Sequence, residues 1–255
     1  TPWLARSLDT LAPQAHHVAL LHRPETQTLD VRGGAAFADH EATDDEVRHE
    51  HEHERDREDE HTHENDHAHE DDHAQKHGHT HEGVDPHAWM DPENGKAWLR
   101  VIAAELSRLD PGNAGIYQAN AAAGRQEIDA VRAEIAAALA PLHDMDFIVF
   151  HDAYQYFETR FGMIAAGAIS LSAASAPSPA RLADIRDLAA RRDIDCALAE
   201  PQFDPDILGA VFSGTRTRTV VRTVVIDPMG TRITTGPGFY PAYLRAMAAA
   251  LTACR

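Results

Sequence analysis

Alternating strand-like and helix-like patterns across the second half of this 255-residue chain predict an α/β fold on a parallel sheet. Three observations carry that expectation. Short runs such as residues 146–150 (DFIVF), 195–199 (DCALA) and 219–226 (TVVRTVVI) each sit between helical patterns. Their central residues are apolar in succession, as in strands covered on both faces. Pro and Gly punctuate the junctions between patterns.

Taken in order, Leu4, Leu8 and Leu11 recur at helical spacing, and Pro13 ends that short helix. Residues 17–21 (HVALL) read as a buried strand. From 33 to 83 nothing is periodic, and order resumes at 85–92 (DPHAWMDP). Asp91 before Pro92 makes an N-cap and first-turn pair. The helix they open carries Trp98, Val101, Ile102, Leu106 and Leu109 on one stripe and stops at Asp110-Pro111-Gly112. A second helical pattern, from about 114 to 140, has Ile116, Tyr117, Ala121, Ile128, Val131, Ile135 and Leu139 and no interior proline. Its roughly 27 residues span about 40 Å, a length that suits a strut between lobes. After Pro141 come a strand at 146–150, a helix at 153–161 closed by Gly162 and a strand within 163–171. A helix opened by Ser178-Pro179 runs to Arg192, followed by a strand at 195–199 and a helix from Asp204-Pro205 to Gly214. A strand at 219–226 and a helix at 240–253 complete the chain.

The net charge of −18 argues against nucleic acid and anionic membranes as partners. It is concentrated: residues 39–82 hold 18 acids against 4 bases, so −14 lies there, together with 12 of the 18 histidines. Such a repeat of Asp, Glu and His buries too little apolar area to offset its ordering entropy and reads as a disordered insert over 33–83. A solvated linker accounts for the charge, but twelve imidazoles point to weak metal binding. No apolar run reaches the roughly 18 residues of a membrane span. The chain starts at Thr1 without a basic stretch and apolar core, so a signal peptide has either been removed or was never part of it.

Ligand sites in parallel sheets lie beyond the carboxyl ends of the strands. His151 follows DFIVF, Glu200 follows DCALA and Asp227 follows the third run, while His87 stands in a Pro-flanked turn before a helix. Two imidazoles with a carboxylate favour zinc over magnesium or calcium. Each residue also has an ordinary role open to it: a histidine after a strand is commonly a turn residue, Asp-Pro pairs cap helices, and Glu200 reads as capping the Pro201 turn, outside the metal shell. The two cysteines, Cys196 and Cys254, show no finger spacing. They are either buried thiols or a disulfide pinning the terminal helix.

The motifs DPHAWMDPENGKAW, FIVFHDAYQYF, CALAEPQF and VIDPMGT, in this order and spacing, resemble the zinc-binding subunits of bacterial ABC importers (ZnuA-type), a group of metal-specific periplasmic solute-binding proteins. The likeness runs from about Gly83 to the C-terminus, with an acidic His-rich loop just before DPHxW. It implies two Rossmann-like lobes with parallel sheets joined by a long rigid helix, the first lobe only partly present in this chain. Residues 1–110 would be the remainder of that lobe, 111–141 the inter-lobe helix and 142–255 the C-terminal lobe. It further implies that His87 and His151 ligate Zn²⁺, that Asp227 is a ligand in some members, and that Cys196 and Cys254 are joined. His61, His63, His67, His69, His73, His77, His79 and His81 would be weak accessory sites that collect or sense zinc. The family's further ligand histidine, in a Pro-His motif, has no counterpart here, since His16, His17 and His22 lie in a different context.

The function so implied is non-enzymatic: a monomeric periplasmic protein that captures Zn²⁺ in the inter-lobe cleft and delivers it to a membrane permease, with a periplasmic zinc chaperone as a further partner. Binding should weaken in acid, because imidazole must be neutral to ligate. Two alternatives are a His-rich zinc buffer or chaperone without a transporter, and a zinc hydrolase with Glu200 as base, for which no HExxH spacing exists.

Overall fold

The structure is a computed structural model that describes residues 2–37, 83–171, 177–194, 196–204, 206–213 and 221–255. Four strands, β1 (Ile148–His151), β2 (Gly167–Ser170), β3 (Cys196–Ala199) and β4 (Arg222–Val225), form one parallel sheet in the order β2-β1-β3-β4. The chain steps outward from β1 to β2, then crosses back over β1 to β3. The gap between the carboxyl ends of β1 and β3 is therefore the topological switch point, where such sheets open a crevice.

Among the described residues seven α-helices accompany the sheet: α1 (Pro2–Leu11), α2 (Pro92–Leu109), α3 (Ala114–Leu139), α4 (Gln155–Phe161), α5 (Pro179–Arg192), α6 (Asp206–Phe212) and α7 (Phe239–Thr252). The period of two along a strand assigns its side chains to opposite faces. Ile148 and Phe150 of β1 and Ala197 of β3 pack with Ile185 and Leu188 of α5 and Leu208 of α6. Val149 of β1 and Leu198 of β3 join the other core, with Ile135 of α3, Phe157 of α4 and Met247 of α7. His151 and Glu200 continue that second register by two residues each, which sends both to the same face.

Sequence signals set the helix ends. The Asp91 carboxylate accepts from Glu93 N–H at 2.8 Å and is paired with Arg160 at 2.7 Å, fixing the start of α2 directly after the His87 turn. Ser178 caps α5 in the same way. Gly162 closes α4 at φ 66°, in the left-handed region where a side chain costs energy. Helix α3 has 26 residues, about 39 Å. Cys196 on β3 and Cys254 just past α7 form a disulfide with Cα atoms 5.6 Å apart, which ties the last helix to the central sheet.

Four expectations need correction. Residues 17–21 form no strand; Leu20–His22 is a single 3-10 turn, because no neighbouring strand among the described residues offers this run a ladder. The insert begins later than residue 33: Ala36 pairs antiparallel with Gly167, and Phe37 is buried and donates its N–H to Ala166 O at 2.9 Å. Residues 38–82, including the eight accessory histidines, lie outside the described residues. On α2, Val101 is buried but Ile102, Leu106 and Leu109 are exposed, the burial being done instead by Ala97 and Ala103. Finally, β4 is not covered on both faces: Arg222, Thr223 and Val225 are exposed on this edge strand.

Candidate metal site

His87 stands immediately before the 3-10 turn Ala88–Met90 that feeds α2, and His151 is the last residue of β1. The fold brings them side by side, with ring centroids 5.4 Å apart and planes inclined by 65°. The His151 side chain is 5% exposed and that of His87 19%, so a cation reaching the pair would be largely desolvated.

Each imidazole is held from behind by a buried carboxylate. His87 Nδ1 lies 2.6 Å from Asp85 Oδ1, which also accepts from the His87 backbone N–H at 2.9 Å. His151 Nδ1 lies 2.5 Å from Glu200 Oε1, and the His151 N–H donates to the same oxygen at 3.3 Å. An ionised carboxylate only accepts, so the Nδ1 proton is donated to it and the lone pair is left on Nε2. Among the described residues neither Nε2 has a protein partner. Two imidazoles, each oriented through Nδ1 by a carboxylate, are the donor arrangement of metal-ligating histidines.

The surrounding side chains complete a rigid frame. Trp89 lies edge-on to His87 at 5.3 Å and donates its indole N–H to Pro228 O at 3.3 Å; Tyr243 donates to the same carbonyl. Burial, reinforced by the negative charge of Glu200, holds the Tyr154 hydroxyl protonated far above its ordinary range. Burial likewise pushes the Tyr243 pKa up, with Asp227 adding to it.

Asp227 is placed differently from the two histidines. Its Oδ1 accepts from Met229 N–H at 3.1 Å, and its Oδ2 accepts from Thr231 Oγ1 at 2.8 Å and Arg232 N–H at 3.2 Å, so both oxygens hold its own turn. Among the described residues no group of three His, Cys, Asp or Glu is disposed to hold a metal ion. Sequence reasoning gave Asp85 no role, and it placed Glu200 at the strand end facing the same crevice as His151 but, with a turn cap equally open to it, outside the metal shell. The signal for Asp85 was its place two residues before His87, within reach of both the N–H and the ring. Glu200 could have been found from the parity of β3, which puts it on the His151 face.

Replacing Glu200 by Gln keeps an acceptor for His151 but removes the charge behind it. Affinity for zinc is expected to fall 10- to 100-fold, the usual effect of losing an outer-shell partner, and Asp85→Asn should act alike on His87. Competition against a chelator of known affinity measures both; unchanged affinity would show that the carboxylates serve packing alone.

A parallel α/β unit packed on a long helix, with two histidines at the sheet's switch point, is an architecture known from solved solute-binding proteins. Solved structures share the fold: the solute-binding protein FpvC from Pseudomonas aeruginosa in complex with Mn²⁺ matches with TM-score 0.59 and 23% identity, over 68% of this chain and 62% of that one. A crystal structure of ZnuA matches with TM-score 0.53 and 28% identity, over 66% and 62%. The chain belongs to the ZnuA family, zinc-uptake complex component A, periplasmic, which it matches over residues 19–254. It is 46% identical to the high-affinity zinc uptake system protein ZnuA of Paracoccus denitrificans, over 100% of this chain and 73% of the relative. It is 44% identical to that of Brucella abortus, over 64% of this chain and 48% of the relative. It thus spans about three quarters of the first relative's length and about 62% of the solved ZnuA.

Proposed function

We propose that this chain carries the zinc-capturing site of a periplasmic solute-binding protein that delivers Zn²⁺ to the permease of an ABC importer. The observation that supports the reading best is the pair of carboxylate-backed imidazoles, 5.4 Å apart at the switch point of the sheet. Relatives named as high-affinity zinc uptake proteins, and a ZnuA deletion mutant solved with zinc bound, point to the same cargo. His87 and His151 ligate through Nε2. Asp227 is a further carboxylate at this end of the sheet and joins the metal shell only if its own turn opens. Residues 1–110 act as the remainder of a first lobe, 111–141 as the inter-lobe helix and 142–255 as the C-terminal lobe. The histidines of 39–82 serve as weak accessory sites, and the working form is a monomer. The Cys196–Cys254 disulfide suits an oxidising compartment such as the periplasm.

Two imidazole donors select zinc over manganese, which prefers oxygen ligands. Competition of Zn²⁺ and Mn²⁺ for the full chain should therefore leave zinc bound in large molar excess of manganese. A strain whose copy carries H87A and H151A should fail to grow under zinc limitation, while its growth with ample zinc stays normal. Equal affinity for the two metals, or unaffected growth, would contradict the proposal. A hydrolase reading finds less support, because the Glu200 carboxylate it would need as a base is engaged by His151.

A further inference from the structure

We propose that Arg32 is a positioning residue for the histidine pair, clamping one strap of chain, residues 29–37, to the His151 side of the site while the same strap holds the His87 side. The inference rests on His87 and His151 being the zinc ligands.

The strap is bonded in two directions. Toward His87, Leu29 O accepts from Asp85 N–H at 2.8 Å, and Val31 N–H donates to Gly83 O at 3.0 Å. The Tyr156 hydroxyl ties the same two segments, accepting from Leu29 N–H at 3.0 Å and donating to Asp85 O at 2.8 Å. Asp85 is the residue that orients His87. Toward His151, the guanidinium of Arg32 reaches two buried carboxylates. Its Nε donates to Asp152 Oδ1 at 3.0 Å and Oδ2 at 3.2 Å, and its Nη1 to Glu158 Oε2 at 2.7 Å. Asp152 directly follows His151, and its N–H is fixed on Ser170 O at 3.1 Å. The side chains of Asp152 and Glu158 are 5% and 3% exposed. A planar fork meets the two carboxylates along fixed directions, whereas an ammonium is a point donor that does not reproduce that geometry. Phe37, further along the strap, lies under the guanidinium with its ring centroid 4.0 Å from the central carbon. The strap therefore links the supports of the two histidines, and Arg32 is the side chain that joins it to the residue after His151.

Burial draws the Arg32 pKa down, but Glu158 and Asp152 outweigh it, so the cation persists at any working pH. A purely structural role would be to neutralise those carboxylates, and a lysine would serve it. R32K therefore separates the two roles. In the full chain, the ring signals of His87 and His151 in the NMR spectrum are identified by their loss in H87A and H151A. R32K is expected to shift the His151 signal while those of His16 and His143 stay in place. It should also weaken zinc binding about tenfold, at the low end of outer-shell losses. Unmoved ring signals together with parental zinc affinity, whatever happens to thermal stability, would overturn the proposal. If the parent chain shows no zinc site that depends on His151, the functional reading fails, yet the ring signals of the metal-free chain still decide whether Arg32 positions His151. Should R32K not unfold cooperatively, the triple variant R32M, D152N, E158Q removes the uncompensated charges together and is read by the same two measurements.

Discussion

Replacing His151 by Ala is expected to abolish tight zinc binding, with a loss greater than the roughly 100-fold that outer-shell changes reach. The substitution removes a ligand, and it also takes the ring partner from Glu200, a carboxylate 2% exposed. Its effect should exceed that of His87→Ala, because His87 is the more exposed of the two. Both variants should retain the weak binding contributed by residues 39–82, so a titration of the full chain would lose one tight component and keep a shallow, many-site one. A single shallow component in the parent chain, unchanged by either substitution, would favour the buffer alternative, in which the acidic segment is the whole metal-binding function.

The second large effect concerns the disulfide. Cys196 and Cys254 are 58 residues apart in sequence, and closing a loop of that size stabilises the folded chain by about 4 kcal/mol in the chain-entropy account. Reduction, or Cys254→Ser with Cys196→Ser, should therefore lower the thermal midpoint on the order of 10 °C for a chain of this size. The link joins β3 to the end of α7, and Glu200 follows β3 by one residue. The reduced protein should thus lose affinity for zinc modestly as well as stability. Calorimetry with and without reductant reads the first effect, and chelator competition the second. An unchanged midpoint would mean that α7 is held by its core contacts, Leu244, Met247 and Leu251, without help from the link.

Much of the architecture was legible in the sequence because local chemistry and tertiary packing agree there. Ser178-Pro179 opens α5 and Asp91-Pro92 opens α2, each with its capping side chain bonded as the residue types dictate. The 26-residue α3 followed from an uninterrupted helical pattern between Pro111 and Pro141. Where the reading failed, the deciding partner was distant. Residues 17–21 have strand composition but, among the described residues, no strand to pair with, and Ala36 pairs with Gly167 at the edge of the sheet. The same holds at the site. Two histidines could be picked from their motifs, whereas the Glu200–His151 contact spans 49 residues and the Arg32–Asp152 contact 120, and neither leaves a local pattern. Asp227 was legible as a carboxylate after a strand, but its engagement with Met229, Thr231 and Arg232 depends on the shape of one turn.

The central claim is that His87 and His151 together hold one zinc ion through their free ring nitrogens. X-ray absorption at the zinc edge tests it most directly, on the chain lacking residues 39–82 and loaded with one equivalent of metal. The account predicts a first shell containing at least two imidazole nitrogens at about 2.0–2.1 Å, with the imidazole outer-shell signature reduced by half in His87→Ala. A shell of oxygen ligands alone, or an imidazole signature that survives loss of both residues, would contradict it.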